Sequence, residues 1–193
     1  VPGTTQTRSY SFSSLIKDDV AEFLVRNIPG GLMSTYLSAQ AKSGDALTLT
    51  GPIGSFYLRS VTRPLLFLAG GTGLAPFLAM LDRLQDTPSS HPIHMIYGVT
   101  NDADLVEVDK LSAYAQSIPS FTFTTVVADT ASTHERKGYV THHLPESALF
   151  GGDVDVYLCG PPPMVDAVRA HFAEMKLEPV NFYFEKFNPS ESK

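Results

Sequence analysis

A glycine-rich stretch, GGTGLAP at residues 70–76, constrains the fold of this chain more than any other feature of its sequence. It follows PLLFLA, a continuous apolar run typical of a buried strand, and it precedes FLAMLDRL, whose apolar residues have helical spacing. A strand, a glycine turn and a helix in this order present free backbone N–H groups at the positive end of a helix dipole. The stretch therefore predicts a turn that binds nucleotide phosphates.

This stretch matches the usual dinucleotide fingerprint only in part. Gly71 and Gly73 have the G-x-G spacing, but Pro76 stands in the place of the third glycine. A proline fits the first helical turn, where its missing N–H costs nothing, and Thr72 can hydrogen-bond to a group above the turn. The alternative interpretation is a tight strand-to-helix turn without a ligand.

A second stretch, CGPPPM at 159–164, also lies between an apolar strand and a predicted helix. In a doubly wound sheet, ligands collect at the carboxyl ends of the strands, so both turns are expected to border one crevice. The prolines make this turn stiff, which suits holding a flat ring at a set distance. Cys159 fits a neutral thiol lining a nicotinamide pocket better than a nucleophile, because no His/Asn arrangement accompanies it.

Two stretches near the amino terminus indicate a flavin nucleotide. In RSYS at 8–11, Arg8 and Tyr10 point to the same side if the segment is a strand, and they offer a cation for phosphate and a ring for stacking. In GGLMS, residues 31–34 offer backbone N–H groups at a predicted helix start. The alternative for RSYS is an amphipathic edge strand with a solvated arginine. Two nucleotide sites on one chain suggest hydride transfer between them.

The order of the predicted elements gives the fold class. The first part of the chain contains short stretches that predict strands, namely QTRSYSFSS, VAEFLVRN and DALTLTG. Later apolar strands alternate with helices, which predicts a parallel sheet covered on both faces. We therefore expect an α/β protein, with a partial antiparallel β-barrel domain over 1–62 and a doubly wound parallel-sheet domain over 63–193. The aromatic tail NFYFEKF is predicted to be the last core strand, with the alternative that Glu185 and Phe187 reach a flavin.

Composition argues against several classes of function. The net charge of −6 and the pI near 5.4 argue against nucleic acid and anionic membranes as partners. No apolar run has the length of a membrane span and the amino terminus lacks the apolar core of a signal peptide, so a cytoplasmic protein is expected. The single cysteine excludes an internal disulfide and a four-cysteine iron–sulfur cluster within this chain, and the six histidines lack the spacing of a metal site.

The chain carries its motifs in a fixed order: RSYS, GGLMS, GPIGSF at 51–56, GGTGLAP, YGVTNDADL at 97–105, CGPPPM and the tail FEKF. This ordered set resembles the ferredoxin–NADP reductase superfamily, in particular the reductase component of benzoate-type ring-hydroxylating dioxygenases. The resemblance covers nearly the whole chain and implies a flavin-binding β-barrel followed by a nucleotide-binding α/β domain. It implies an oxidoreductase that passes hydride from NADH to FAD and then single electrons to an iron–sulfur acceptor.

The resemblance also assigns roles to individual residues. Arg8 would pair with the FAD pyrophosphate, Tyr10 would stack on the isoalloxazine ring and Ser11 would lie near flavin N5. Arg26 and the amides of 31–34 would hold the ribose and phosphates, and Thr72 and the 159–164 turn would position the nicotinamide. The predicted catalytic residues are Ser11, Thr72, Cys159 and Glu185. The predicted cofactor-binding residues are Arg8, Ser9, Tyr10, Ser11, Arg26, Gly31, Leu32, Met33, Ser34, Gly71, Thr72, Gly73, Pro76, Gly98, Val99, Thr100, Asp102, Cys159, Gly160, Pro161, Pro162, Met164 and Phe187.

The chain departs from the family pattern in two respects. Few residues precede Arg8, where the family barrel normally has additional strands, and the single cysteine leaves no room for a plant-type ferredoxin domain. We therefore expect a fragment of a longer system, with a ferredoxin-type iron–sulfur domain or protein and a terminal oxygenase as partners. The alternatives are a free flavin reductase, a flavohaemoglobin-type reductase domain, or a non-catalytic nucleotide-binding module without flavin.

The residues after the second predicted strand of the α/β part favour NADH over NADPH. The stretch from Thr100 to Asp104 contains no Arg or Lys to receive a 2′-phosphate, and Asp102 is placed to accept from a ribose hydroxyl and to repel the phosphate. Arg136 and Lys137 would weaken this preference if the chain folds them near the same pocket.

Overall fold

The computed structural model describes Thr4 and residues 6–187. Five parallel strands form one sheet in this part of the chain: β1 Leu65–Gly70, β2 Ile93–Val99, β3 Phe121–Val127, β4 Asp155–Gly160 and β5 Asn181–Lys186. Their order across the sheet is β3-β2-β1-β4-β5. The parallel α/β architecture predicted for the second part of the chain is confirmed.

Four α-helices occur within the described residues: α1 Leu32–Ala39, α2 Ala75–Asp86, α3 Val108–Ser117 and α4 Pro162–Glu174. Short 3₁₀ segments cover Gly71–Leu74, Asp102–Asp104, Val140–His143 and Glu146–Gly152. None of the helices in the described part of the chain is long and apolar enough to cross a membrane.

The central strand β1 is buried on both faces of the sheet, which explains its uninterrupted apolar sequence. On one face, Phe67 packs against Phe77 of α2, with ring centroids 5.0 Å apart. On the other face, Leu68 belongs to the core that contains Val168 of α4. Successive side chains of a strand point to opposite faces, so a strand between two helical layers needs apolar residues at every position.

The first part of the chain, residues 6–62, contains α1 and isolated antiparallel bridges rather than regular strands. Phe12 pairs with Phe23, and beside this bridge the Ser13 N–H donates to the Glu22 carbonyl at 2.8 Å. The predicted strands QTRSYSFSS and VAEFLVRN therefore meet in antiparallel orientation, but the described residues do not extend the bridge into a ladder.

The strand predicted over DALTLTG does not form in the described part of the chain. Its residues Leu47 and Leu49 are 53% and 65% exposed. An extended segment becomes a strand only when a neighbour takes up its backbone hydrogen bonds. The flavin-binding β-barrel therefore stays a prediction, and so does the division into domains 1–62 and 63–193.

Aromatic contacts attach the first part of the chain to the α2 face of the sheet. The Phe56 ring lies edge-on to Phe77 of α2 and to Tyr157 of β4, with centroids 5.8 and 6.0 Å apart. The backbone N–H of Arg59 donates to the Tyr157 hydroxyl at 3.1 Å. These contacts hold the segment that precedes β1 against the sheet and bring residues 6–62 beside the nucleotide turns.

Candidate active site

The two glycine and proline turns predicted from the sequence meet at the carboxyl edge of β1 and β4. These strands are neighbours in the sheet, with Ala69 opposite Cys159, although β2 and β3 lie between them in sequence. The chain extends the sheet to one side of β1 with β2 and β3, and to the other side with β4 and β5. The crevice beyond β1 and β4 is therefore the topological switch point, where open α/β sheets bind their ligands.

Close packing between these turns explains most of their glycines. A Cβ at Gly73 would overlap the Cys159 carbonyl, and a Cβ at Gly70 would overlap the side chains of Met164 and Pro161. Gly71 differs, because it has a φ of +54° and open space where a Cβ would be. Its backbone faces the crevice, whereas the other glycines serve the packing of one turn on the other.

The proline-rich turn begins a helix as predicted. Pro161 occupies the N-cap of α4 and Pro162 the first helical position, where a missing N–H leaves no hydrogen bond unmade. Phe187, which follows β5, donates its backbone N–H to the Gly160 carbonyl at 3.0 Å. The end of β5 is therefore fixed beside this turn. Similarly, Pro76 lies in the first turn of α2, directly after the 3₁₀ segment that contains Thr72.

Three of the four predicted catalytic residues converge at this edge. The Ser11 hydroxyl donates to Oε2 of Glu185 at 3.3 Å, and Sγ of Cys159 lies 4.0 Å from the same oxygen. Ser11 and Glu185 are 174 residues apart in sequence. Thr72 lies on the adjoining turn after β1. The cluster joins the flavin-side segment, the turn after β4 and the last strand.

Burial shifts the pKa values of the two ionisable side chains in this cluster, Glu185 and Cys159. Burial raises the pKa of the Glu185 carboxyl, and the hydrogen bond from Ser11 opposes that shift. Burial also raises the pKa of the Cys159 thiol, and the nearby Glu185 carboxylate raises it further. Cys159 is fully buried and is therefore a neutral thiol at neutral pH. Its burial and neutral charge argue against a nucleophile, and its role in lining a nicotinamide pocket stays a prediction.

The flavin-side candidates form a more open surface. Tyr10 is 37% exposed, so its ring is available for stacking. The Arg8 guanidinium donates to the Thr7 carbonyl at 2.8 Å and to Oε1 of Gln6 at 3.2 Å. Ser9 is exposed beside them. Arg8 is partly buried, and its guanidinium has local neutral acceptors as its hydrogen-bond partners.

The start of α1 keeps backbone donors available. Gly31 is the N-cap residue, and no side chain caps this end of the helix. The Ser34 hydroxyl accepts from the Ile28 N–H at 2.9 Å and donates to the Arg26 carbonyl at 3.3 Å, so it shapes the loop before the helix. The first-turn amides, those of Leu32 and Met33, are positioned as donors to an anion.

The end of β2 is covered by the loop that follows β3. The Val99 and Thr100 carbonyls accept from the N–H groups of Ala128 and Asp129, both at 2.9 Å. The Ser132 hydroxyl donates to Oδ1 of Asp102 at 2.6 Å. Ser132 is a residue that the sequence analysis missed, because no local pattern links it to Asp102. At Gly98, a Cβ would overlap the Val140 side chain, so packing explains this glycine.

The same loop places Arg136 and Lys137 beside Val127, at the end of β3. The Lys137 ammonium donates to the Thr130 carbonyl at 3.3 Å, and the Arg136 guanidinium pairs with the Glu135 carboxylate at 3.2 Å. On the other side, the Arg26 guanidinium lies 3.8 Å from the Asp104 carboxylate. The side chain of Arg26 therefore contacts the loop after β2, whereas its backbone carbonyl contacts Ser34 in the first turn of α1.

Strand order and turn geometry define the class of protein. A parallel sheet of order β3-β2-β1-β4-β5, with a glycine turn and a proline turn at its switch point, is the arrangement of an α/β dinucleotide-binding domain. Among the described residues, no group of three or more His, Cys, Asp or Glu side chains is arranged to hold a metal ion.

Comparison with known families extends this assignment. Residues 67–170 match the oxidoreductase NAD-binding domain, and residues 1–57 match the oxidoreductase FAD-binding domain. Because the first match spans more than half of the chain, the chain belongs to the oxidoreductase NAD-binding domain family. The superfamily resemblance drawn from the ordered motifs is confirmed, and the chain combines regions for an FAD and an NAD cofactor.

Individual relatives agree with the family. The chain is 56% identical over 190 residues to the toluate 1,2-dioxygenase electron transfer component of Pseudomonas putida, covering 98% of this chain and 56% of that protein. It is 50% identical to the 2-halobenzoate 1,2-dioxygenase electron transfer component of Burkholderia cepacia, covering 98% of this chain and 57% of that protein. Among solved structures, the Amycolatopsis cytochrome P450 reductase superposes with a TM-score of 0.86 at 32% identity, covering 98% of this chain and 59% of that one. The chain thus spans little more than half the length of these relatives.

The described residues fit the two nucleotides. The uncapped start of α1, the partly buried Arg8 cation and the partly exposed Tyr10 ring are the donors and the stacking surface that a flavin nucleotide requires. At the switch point, Gly71 has open space where a Cβ would be, and Gly73 of the same turn packs against the buried Cys159. This combination suits a pyrophosphate and an adjoining flat ring.

Proposed function

We propose that this chain is the FAD- and NADH-binding part of a reductase that supplies electrons to a ring-hydroxylating dioxygenase. When bound, FAD accepts a hydride from NADH and passes electrons singly to an iron–sulfur acceptor. The observation that supports this function best is the convergence of Ser11, Cys159 and Glu185 at the carboxyl edge of the sheet. The flavin-side segment and the nicotinamide-side turn contribute to the same cluster.

In this proposal, Ser11 and Glu185 form the polar wall of the site. The Glu185 carboxyl holds its proton more tightly than an exposed glutamate because burial raises its pKa. The Ser11 hydroxyl donates to the Glu185 carboxyl, and Ser11 is the member of this pair that stands next to Tyr10 in the sequence. A proton held at this carboxyl can therefore be exchanged through the serine hydroxyl.

Cys159 and the turn that follows it would act sterically, by limiting the positions that a bound ring can take. The thiol is neutral and buried beneath this turn, so it fills space without the reactivity of a thiolate. Pro161 and Pro162 stiffen the backbone at the start of α4, and Met164 packs between the two turns near Gly70. These residues would orient a nicotinamide ring by excluding other positions.

The flavin-side roles are proposals of the same kind. The amides of Leu32, Met33 and Ser34 at the start of α1 would take the pyrophosphate, together with Arg8. The Gly31 amide, which the sequence analysis included, is not available for this role because it donates to the Ile28 carbonyl at 2.9 Å. Tyr10 would stack on the ring system, and Ser9 lies in the same exposed segment. Arg26, which pairs with Asp104, would tie this surface to the loop after β2.

NADH is the proposed electron donor because the loop after β2 is acidic. Asp102 and Asp104 both lie in the 3₁₀ segment that follows β2. Ser132 engages one carboxylate oxygen of Asp102, which leaves the other oxygen for a ribose hydroxyl. A 2′-phosphate at this position would meet a like charge.

The proposed partners follow from the relatives rather than from a surface on this chain. Both dioxygenase relatives are named electron transfer components, and each is longer than this chain. We propose that a ferredoxin-type iron–sulfur domain or protein takes the electrons and that a terminal oxygenase uses them. The proposed domains are an FAD-binding domain over 1–62 and an NAD-binding domain over 63–193.

Anaerobic stopped-flow reduction tests this function. The chain is loaded with FAD and mixed with NADH, and loss of the oxidised flavin absorbance is followed; NADPH serves as the second donor. We expect rapid bleaching with NADH, a rate at least about tenfold lower for Glu185→Gln, and an unchanged rate for Glu174→Gln, which alters an exposed carboxylate on α4.

Two outcomes would contradict the proposal. A colourless protein that cannot be loaded with FAD would indicate a nucleotide-binding module without flavin. Bleaching by NADH without electron transfer to any added plant-type ferredoxin, but with rapid transfer to free flavin, would indicate a free flavin reductase.

A further inference from the structure

One carboxylate joins the flavin-side segment to the two helices that cover the same face of the sheet. Oδ2 of Asp82, on α2, accepts from the backbone N–H of Leu15 at 3.0 Å. Its other oxygen, Oδ1, accepts from the hydroxyl of Tyr114 on α3. Asp82 is partly buried and Tyr114 is buried, so these hydrogen bonds are shielded from water.

The two ends of α2 serve different parts of the site. The helix begins at Ala75, directly after the 3₁₀ segment Gly71–Leu74 that borders the switch point. Asp82 lies about two helical turns further along the same rigid element. Any shift of the glycine turn relative to the Leu15 segment must therefore break or distort the Asp82 contact.

The segment that Asp82 holds is the one that carries the flavin-side candidates. Ser11 contacts Glu185 of β5, and shortly afterwards Leu15 contacts Asp82 of α2. The stretch from Tyr10 to Leu15 is thus fixed at one end to the last strand and at the other end to α2.

Two neighbouring ion pairs are weaker candidates than Asp82 for holding the first part of the chain at a fixed distance from α2. Lys17 pairs with Asp86 at 2.9 Å and Lys110 with Glu22 at 3.5 Å, but both pairs involve exposed side chains. Exposed pairs contribute little to a fixed geometry because water screens them and their side chains lose rotamer freedom. The shielded contact at Asp82 is the one that can fix a distance.

We infer that Asp82 is a positioning residue for hydride transfer: through its hydrogen bond to Leu15 it sets the distance between the flavin surface around Tyr10 and the nicotinamide turn at 71–74. This inference rests on the proposed function. Asp82 does not touch the reacting atoms. A displacement of about 1 Å in such a geometry can cost about a hundredfold in rate.

The test compares four variants of the full chain. Asp82→Ala removes both hydrogen bonds. Asp82→Asn keeps both, because its amide oxygen can accept from Leu15 while its NH₂ donates to Tyr114. Tyr114→Phe removes only the contact to α3, and Asp86→Ala removes an exposed pair on the same helix. If Asp82→Ala does not fold, Asp82→Ser replaces it, since its side chain is too short to reach Leu15.

Two quantities are measured on each variant. Without nucleotides, amide hydrogen exchange at Leu15 should speed up about tenfold in Asp82→Ala and remain unchanged in Asp82→Asn. With FAD bound, the rate of flavin reduction by NADH should fall ten- to about a hundredfold in Asp82→Ala, while FAD content is retained. Asp82→Asn, Tyr114→Phe and Asp86→Ala should stay within about twofold of the unmodified chain.

The outcomes separate this inference from the proposed function. Equal losses of rate in Asp82→Ala and Tyr114→Phe, at equal thermal stability, would show a general structural effect and overturn the inference. Unchanged exchange at Leu15 in Asp82→Ala would overturn it as well. If the unmodified chain binds FAD but NADH does not reduce it, the proposed function fails, whereas the exchange result still decides whether Asp82 holds the segment.

Discussion

The guanidinium of Arg63 lies 3.1 Å from the carboxylate of Asp155, a side chain that is 2% exposed at the start of β4. Asn181 of β5 donates to the same carboxylate at 2.7 Å, and the Asp155 N–H donates to the Pro64 carbonyl at 3.0 Å. This network lies at the amino edge of the sheet, opposite the candidate active site. It ties the segment before β1 to the two strands that carry Cys159 and Glu185.

Removing Arg63 should therefore destabilise the fold rather than change the chemistry. In Arg63→Ala, Asp155 remains buried without its cation, and the free energy of unfolding should fall by about 3 kcal/mol. Urea unfolding measures this loss. The matched control is Asp153→Ala, which removes the other partner of Arg63; its side chain is 73% exposed, so the loss should stay below about 1 kcal/mol. Similar losses in the two variants would contradict this assignment.

The glycines of the first turn should differ in what they tolerate. In Gly73→Ala, the new Cβ overlaps the Cys159 carbonyl, which is backbone and cannot move aside, so we expect a loss of about 2–3 kcal/mol in unfolding free energy. In Gly71→Ala, the Cβ enters open space and only the φ of +54° is unfavourable, which costs about 1 kcal/mol. Thermal unfolding with and without NAD⁺ checks both. A larger loss at Gly71 would show that the turn packing is misassigned.

The sheet could be predicted from the sequence because neighbouring residues indicate each buried strand and the helix start that follows it. The apolar run before Gly70 and the proline turn after Cys159 each indicate a buried strand and a helix start. The alternation in Leu47 and Leu49 also indicates a strand, but a strand requires a partner, and no local pattern supplies one.

The candidate site was less predictable because its contacts join distant parts of the chain. The sequence analysis placed Ser11 near flavin N5 through a family resemblance and gave contact of Glu185 with a flavin only as an alternative for the aromatic tail. The structure brings the two side chains into contact. The contacts of Asp102 with Ser132 and of Asp82 with Leu15 have no counterpart in local spacing. They depend on which loops and helices the finished sheet places side by side.

The raised pKa of Glu185 predicts a pH dependence of stability with a definite sign. Burial raises the pKa above its ordinary value of 4.5, so the folded state holds this proton more tightly than the unfolded state. The resulting contribution to stability is fully present below the ordinary pKa and is lost as pH rises through the raised folded pKa. The chain should therefore lose stability relative to Glu185→Gln as pH rises above the ordinary pKa of the carboxyl, as urea unfolding at several pH values would show.

Ser11→Ala provides the control for this pH dependence. The Ser11 hydrogen bond lowers the pKa of Glu185, so its removal should raise that pKa further and move the loss of stability to higher pH. A loss that moves to lower pH in Ser11→Ala, or that persists in Glu185→Gln, would assign the dependence to another group.

Asp102 should control the choice between the two nicotinamide nucleotides. Asp102→Asn removes the negative charge while keeping an oxygen that accepts from Ser132, so the loop after β3 should remain in place. The ratio of kcat/KM for NADPH to that for NADH should then rise about tenfold, which corresponds to about 1.4 kcal/mol of lost repulsion against the 2′-phosphate. Ser132→Ala, which keeps the charge and removes only the hydroxyl, should change the ratio less than about twofold. An unchanged ratio in Asp102→Asn would place the 2′-position away from this loop, and an equal rise in both variants would attribute selectivity to the position of the loop rather than to the charge of Asp102.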